Sequence, residues 1–138
     1  MILFSALYGF TAVNYADSVV WCSRGLSDWG HVWLISLYFA PFIPMIILRP
    51  RLWMLAMASA LITSLANDGL WGFWNLAIGA YDWESFVDWL QGWFIPSERE
   101  LFTLKLGVTK LPVTSLIMAT SIYSRITLIT LLLLRHRR

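Results

Sequence analysis

Charge is what this chain has least of. Only 13% of its 138 residues are Asp, Glu, Lys or Arg, about half the share usual in a soluble domain. The net charge of +2 is small and scattered, which excludes a nucleic-acid-binding surface. A single cysteine, Cys22, excludes an internal disulfide and a thiolate metal cluster. The two histidines, His31 and His136, fall on opposite sides of the membrane in the topology derived below, so they do not jointly ligate a haem or a metal. There is no C-x-x-C, no glycine-rich phosphate loop, no G-x-S-x-G and no H-E-x-x-H. No catalytic residue, metal site or cofactor is therefore expected. Internal repeats and low-complexity segments are also missing.

What is present is apolar: 59% of the residues are hydrophobic and nine are tryptophan. Four segments, 2–22, 31–48, 52–79 and 111–134, approach or exceed the roughly 20 residues that cross a bilayer core. The composition predicts an all-α integral membrane protein, a four-transmembrane-helix bundle forming one membrane domain over residues 1–138. Ile2–Val13 has the apolarity of a signal sequence, but no Lys or Arg precedes it and no A-x-A follows, so it reads as a retained helix.

Orientation follows from the basic residues. Arg49 and Arg51 flank Pro50 between the second and third spans, and Arg135, Arg137 and Arg138 follow the fourth, with no acid among them. Both termini and the 49–51 turn are thus expected on the cytoplasmic side. The remaining connections mix Arg24, Arg99, Lys105 and Lys110 with Asp28, Asp82, Glu84, Asp88, Glu98 and Glu100. Within the long outer connection, 80–110, Trp83, Phe86, Leu90, Trp93 and Phe94 recur at helical spacing. That pattern predicts a short amphipathic helix at the outer interface, with Trp83, Phe86, Trp89 and Trp93 as anchors. Ser97-Glu98-Arg99-Glu100 has the form of a capping box and predicts a second short helix starting at Ser97.

The third span contains the stretch SLANDGLWGFWN, residues 64–75. Ala56, Ala60, Ser64 and Gly72 share a small-residue stripe with Asp68, which suits close helix packing in lipid. Beside it runs a polar stripe of Ser59, Thr63, Asn67, Trp71 and Asn75. At 1.5 Å per residue, Asp68 lies about 24 Å from the inner end of its helix, with Asp17 at about 22 Å, Asn14 at about 18 Å, Ser121 at about 21 Å and Arg125 at about 15 Å in theirs. Ser36 and Tyr38 fall in the same band. Asn14, Asp17, Asn67, Asp68, Asn75, Ser121 and Arg125 are therefore the candidate intramembrane polar site. Charged residues at such depth face the bundle interior and pair, so Asp68 is expected to pair with Arg125, the only cation within the spans. Pro41 and Pro44 bend the second helix, and Gly69, Gly72 and Gly79 read as packing notches.

Four helices with a carboxylate, Asp17, in the first resemble the small multidrug-resistance transporters in topology. Asp17 lies nearer the outer end than that pattern places it, and the long outer connection departs from it, so no residue is carried over. The expected function is a non-catalytic subunit of a larger membrane assembly. The alternatives are a proton-coupled transporter or channel using the polar layer, and a small enzyme acting on a lipid or isoprenoid-like substrate. The expected partners are the lipid bilayer and either membrane-protein subunits or further copies of the chain.

Overall fold

The computed structural model describes residues 1–24, 28–106 and 109–136, with the backbone alone at 20–24, 28–32 and 104–106. The side chains of Trp21, Cys22, Arg24, Asp28, Trp29, His31, Lys105, Arg137 and Arg138 lie outside the described residues. The chain is mostly helical. Helix α1 (Ile2–Tyr8) runs through a π-helical stretch, Gly9–Val13, into α2 (Asn14–Arg24). Helix α3 (Asp28–Phe39) continues through a 3-10 turn at Ala40–Phe42 into α4 (Ile43–Leu48). Pro41 and Pro44 account for that break, since each lacks the N–H an α-helix needs. A second 3-10 turn, Pro50–Leu52, leads into α5 (Trp53–Ala77), a 25-residue helix with no proline. Gly79, at φ +75, ends it in the left-handed conformation that glycine adopts without a Cβ penalty. The amide N–H of Ala80 then donates to the Asn75 carbonyl at 2.8 Å.

Helix α6 (Trp83–Phe94) is capped by Asp82, whose carboxylate accepts from the Ser85 N–H at 2.8 Å. No second short helix begins at Ser97. Instead β1 (Glu100–Leu106) pairs antiparallel with β2 (Thr109–Thr114), with a register shift between Glu100 and Phe102. The capping-box geometry is not used: the Ser97 hydroxyl accepts from the Arg99 N–H, and the β-branched and aromatic residues that follow pair as strands. The fourth predicted span consequently starts later, since 111–114 belong to β2 and α7 runs Ser115–His136. Its first turn is tied to the chain ahead of β1, with Ser115 N–H on the Arg99 carbonyl and Leu116 N–H on the Ser97 carbonyl, both at 2.9 Å.

Helix α5 is the axis of the molecule and packs against α1, α2, α3, α4, α6 and α7. It lies tight against the N-terminal helix at Gly9. A Cβ on Gly9 would sit 2.3 Å from the Thr63 carbonyl oxygen, so only glycine fits there. The interior is unusual in its polarity: Ser5, Asn14, Ser59, Thr63, Asn67 and Ser115 are fully buried, along with Ala58, Ala60 and Val13. Ile122, Met118 and Val113 are buried as well, but many large aliphatic side chains are exposed, Leu3, Ile47, Leu48 and Leu131 among them. Among the described residues one helix, Ser115–His136, is long and apolar enough to cross a membrane. The polar residues of α5 dilute its apolar character, and the first two predicted spans are divided by their π and 3-10 stretches.

Candidate functional site: a polar layer beneath an aromatic cavity

The two stripes of α5 serve different neighbours. Ser59, Thr63 and Asn67 face the N-terminal helix, where the Thr63 hydroxyl donates to the Ser5 carbonyl at 3.2 Å. Asn67, fully buried, joins three helices. Its amide nitrogen donates to Asn14 Oδ1 at 2.6 Å and Asp17 Oδ2 at 3.3 Å, and its Oδ1 accepts from the Tyr38 hydroxyl at 2.6 Å. The small-residue stripe does not receive a single helix. Ala56 and Ala60 pack on Phe42, Ser64 and Asp68 meet α7, and Gly72 meets α6.

Arg125 of α7 supplies the second half of the layer. Its Nη1 donates to Asp68 Oδ2 at 2.5 Å and to the Ser64 hydroxyl at 2.7 Å. Nη2 and Nε hold Ser121, through its hydroxyl and its carbonyl, each at 3.2 Å. The Arg125 and Asp68 side chains are 14% and 25% exposed, which shields the pair from full solvent screening. Asn67 and Asp68, adjacent in sequence, thus point to opposite neighbours: one closes α2 and α3 onto α5, the other closes α7. Asn75, also buried, lies apart from both and donates back to the Trp71 carbonyl at 2.9 Å.

The tryptophans divide as well. Trp83 is exposed, Trp93 is half-buried, and Phe86 and Trp89 turn inward. The Phe86 and Trp89 rings stack at 5.9 Å and both meet Phe73 edge-on. Trp89 lies directly over Gly72, where a Cβ would fall 2.1 Å from its ring. Phe86 and Trp89 therefore dock α6 onto α5 rather than facing outward, and glycine at 72 is what lets the indole in. Among the described residues the Trp89 indole N–H has no partner.

Between this end of the bundle and the α6–hairpin unit lies a cavity of about 590 Å³. Asp17 and Ser18 of α2, Trp71 and Asn75 of α5, Asp88 and Trp93 of α6, and Arg99 and Glu100 of the hairpin arm contribute to its walls. Asp17 is common to the cavity and the polar layer. Arg99 grips Asp88 with both terminal nitrogens, at 2.7 and 2.8 Å. That guanidinium holds the Asp88 carboxyl below the usual carboxylate range and is itself raised by it. Asp82 is lowered too, by its hydrogen bonds with Ser85. The Arg99–Asp88 pair was not legible beforehand, because only the hairpin brings residues 11 apart in sequence face to face. Trp71 and Tyr81 as cavity walls also carried no sequence signal beyond their aromaticity. Among the described residues no cluster of His, Cys, Asp and Glu could hold a metal ion. Compared with known protein families, with curated proteins and with solved structures, the chain shows no match.

Proposed function

We propose that the chain is a four-span integral membrane protein, both termini cytoplasmic, that serves as a non-catalytic subunit of a larger membrane assembly. Support for the membrane reading comes from the polar side chains fully buried in the interior, Ser5, Asn14, Thr63 and Asn67 among them, together with many exposed Leu and Ile side chains. Water would penalise such a surface, and lipid accepts it. Arg49, Arg51 and Arg135 lie at the ends of helices on the side opposite α6 and the hairpin, in keeping with a cytoplasmic face there.

One observation carries the subunit reading. The exposed face of α7 is shallowly indented along Thr120, Tyr123, Ser124, Thr127, Leu128 and Leu131. Thr120, Ser124, Thr127 and Leu131 follow one another at spacings of four, three and four, the rhythm with which one helix seats another. In lipid, hydroxyl-bearing and small residues on an exposed helix face favour association with a second helix. The interior layer, by contrast, directs its hydrogen bonds inward and suits a lock between helices. A photo-crosslinking residue placed at Ser124 in the native membrane tests this. One adduct of fixed mass, absent when the same residue replaces Leu3 on the exposed N-terminal helix, is expected. Equal labelling at both positions, with lipid as the adduct, would overturn the reading.

A second reading, a small-molecule transporter or channel, is favoured by the contact between Asp17 and the cavity. It requires that uptake into vesicles be lost in Asp68→Asn while the protein still assembles.

A further inference from the structure

We propose that the cavity above the polar layer binds a saccharide ring, with Asn75, Tyr81 and Trp71 meeting its hydroxyls and aromatic faces meeting its C–H surface. The inference goes beyond the subunit reading and concerns a different face of the molecule.

Size comes first. A volume of about 590 Å³ falls within the range of small-molecule sites, about 300–1,000 Å³. A single water, at about 30 Å³, fills a small part of it. Within the cavity an acceptor stands open. Asn75 is 6% exposed and lines the space. Its Nδ2 donates to the Trp71 carbonyl, while its Oδ1 has no hydrogen-bond partner among the described residues. A buried amide oxygen left in this way costs free energy until a donor reaches it. The Tyr81 hydroxyl and the Trp71 indole N–H belong to half-buried side chains on the same walls, and they too have no partner among the described residues.

The charged groups of the walls are already engaged. Arg99 grips Asp88 through both terminal nitrogens. The Thr103 hydroxyl donates to the Glu100 carboxylate, and the Asn67 amide donates to Asp17. Asp88, Arg99 and Glu100 are also exposed, where water and salt screen their pull on an entering ion. What the walls leave open is neutral: an amide acceptor, a phenol hydroxyl and an indole N–H. A neutral ligand with several hydroxyls, each able to donate and to accept, matches that set.

The rings select the body of the ligand. Trp71, Tyr81, Trp93 and Phe102 line the space, and flat aromatic faces offer a broad area for dispersion contact. A pyranose presents C–H groups on its face and hydroxyls around its edge, so it meets rings and polar groups together. A plain alkyl chain would fill the space but leave the Asn75 amide oxygen without a donor. Such a sugar ring arrives either as a free saccharide or as the headgroup of a glycolipid.

The test is calorimetric titration of the full chain in phosphatidylcholine nanodiscs, which contain no sugar. The probe is benzyl glucoside, and the control is benzyl tetrahydropyranyl ether, the same two rings without the hydroxyls. Saturable binding of the glucoside is expected, with affinity about tenfold lower in Asn75→Leu, as loss of a hydrogen bond to a buried group dictates. Tyr81→Phe removes one oxygen from a residue between α5 and α6. It is expected to weaken binding also, which keeps the test decisive if Asn75→Leu does not fold. Repeating the titration in nanodiscs that contain glucosyldiacylglycerol separates the sources. Weaker apparent affinity there assigns the site to a lipid headgroup, and equal affinity assigns it to a free saccharide. Absence of saturable binding, equal binding of the ether, tighter binding of benzyltrimethylammonium, or full affinity in both variants overturns the proposal.

Discussion

Replacing Arg125 with methionine removes the cation while keeping an unbranched side chain of similar reach. Four hydrogen bonds go with it: those to Asp68, Ser64 and both oxygens of Ser121. Breaking a fully buried ion pair from one side costs about 3–5 kcal/mol, chiefly because the surviving charge is left desolvated. With the partners 14% and 25% exposed, the expected loss is nearer 2–4 kcal/mol on that same scale. Asp68→Asn keeps the shape and loses only the charge, so it should cost less. In Asp68→Asn/Arg125→Met no charge is stranded, and most of the loss should return, giving a coupling energy of about 1.5–3 kcal/mol. The assay is reversible unfolding in mixed micelles titrated with dodecyl sulfate, read by helicity. Strict additivity of the two single variants would refute the argument, for it would mean that Asp68 and Arg125 each act on something other than the other.

Three further outcomes follow from the same geometry. Gly9→Ala should destabilise by about 1–3 kcal/mol in the same micelle titration, because its Cβ would strike the Thr63 carbonyl, a backbone atom that cannot swing aside. Tyr38→Phe should cost about 1–3 kcal/mol by leaving the buried Asn67 carbonyl short of a donor, and amide exchange near Asn67 in α5 should quicken with it. The Asp88–Arg99 pair predicts a pH window. Asp88 is lowered in the folded protein, so its contribution is complete above the ordinary value of 3.8 and fades as pH falls through the depressed one. Hydrogen exchange in α6 and the hairpin should therefore be insensitive to this pair from pH 8 to 5, after correction for intrinsic rates, and accelerate only below about pH 4. Asp88→Asn should remove that acid-dependent step.

The helices could be read from the chain because their information is local. Runs of apolar residues, the prolines at 41, 44 and 50, and the glycine at 79 mark where each begins, bends or stops. The polar residues could be read too, since Asn14, Asp17, Asn67, Asp68, Ser121 and Arg125 stand out against an apolar background. Their division into two sets could not, because Asn67 and Asp68 differ by about 100° around the helix axis, and which neighbour occupies each direction is a tertiary fact. The hairpin was hidden for a related reason. Ser97 to Glu100 satisfies a four-residue helix signature, whereas the pairing that prevails joins Glu100 to Thr114 across the turn. Phe86 and Trp89 illustrate the limit of composition. A tryptophan near a membrane surface suggests an anchor, and only the missing side chain at Gly72, on another helix, reveals that this one is inserted instead.

The π-helical stretch at Gly9–Val13 carries a consequence for descent. It holds one residue more than a regular helix needs over the same rise, and that surplus lets Ser5 before it, Gly9 at its start, and Asn14 and Asp17 after it, all address α5. Deleting a single residue there would leave a continuous helix but turn its second half by about 100°, carrying Asn14 and Asp17 off their partner. A relative lacking that residue would thus keep the α5 contacts of one half of the helix only. Alignment with such a relative has to admit a gap inside a helix, where gaps are ordinarily forbidden.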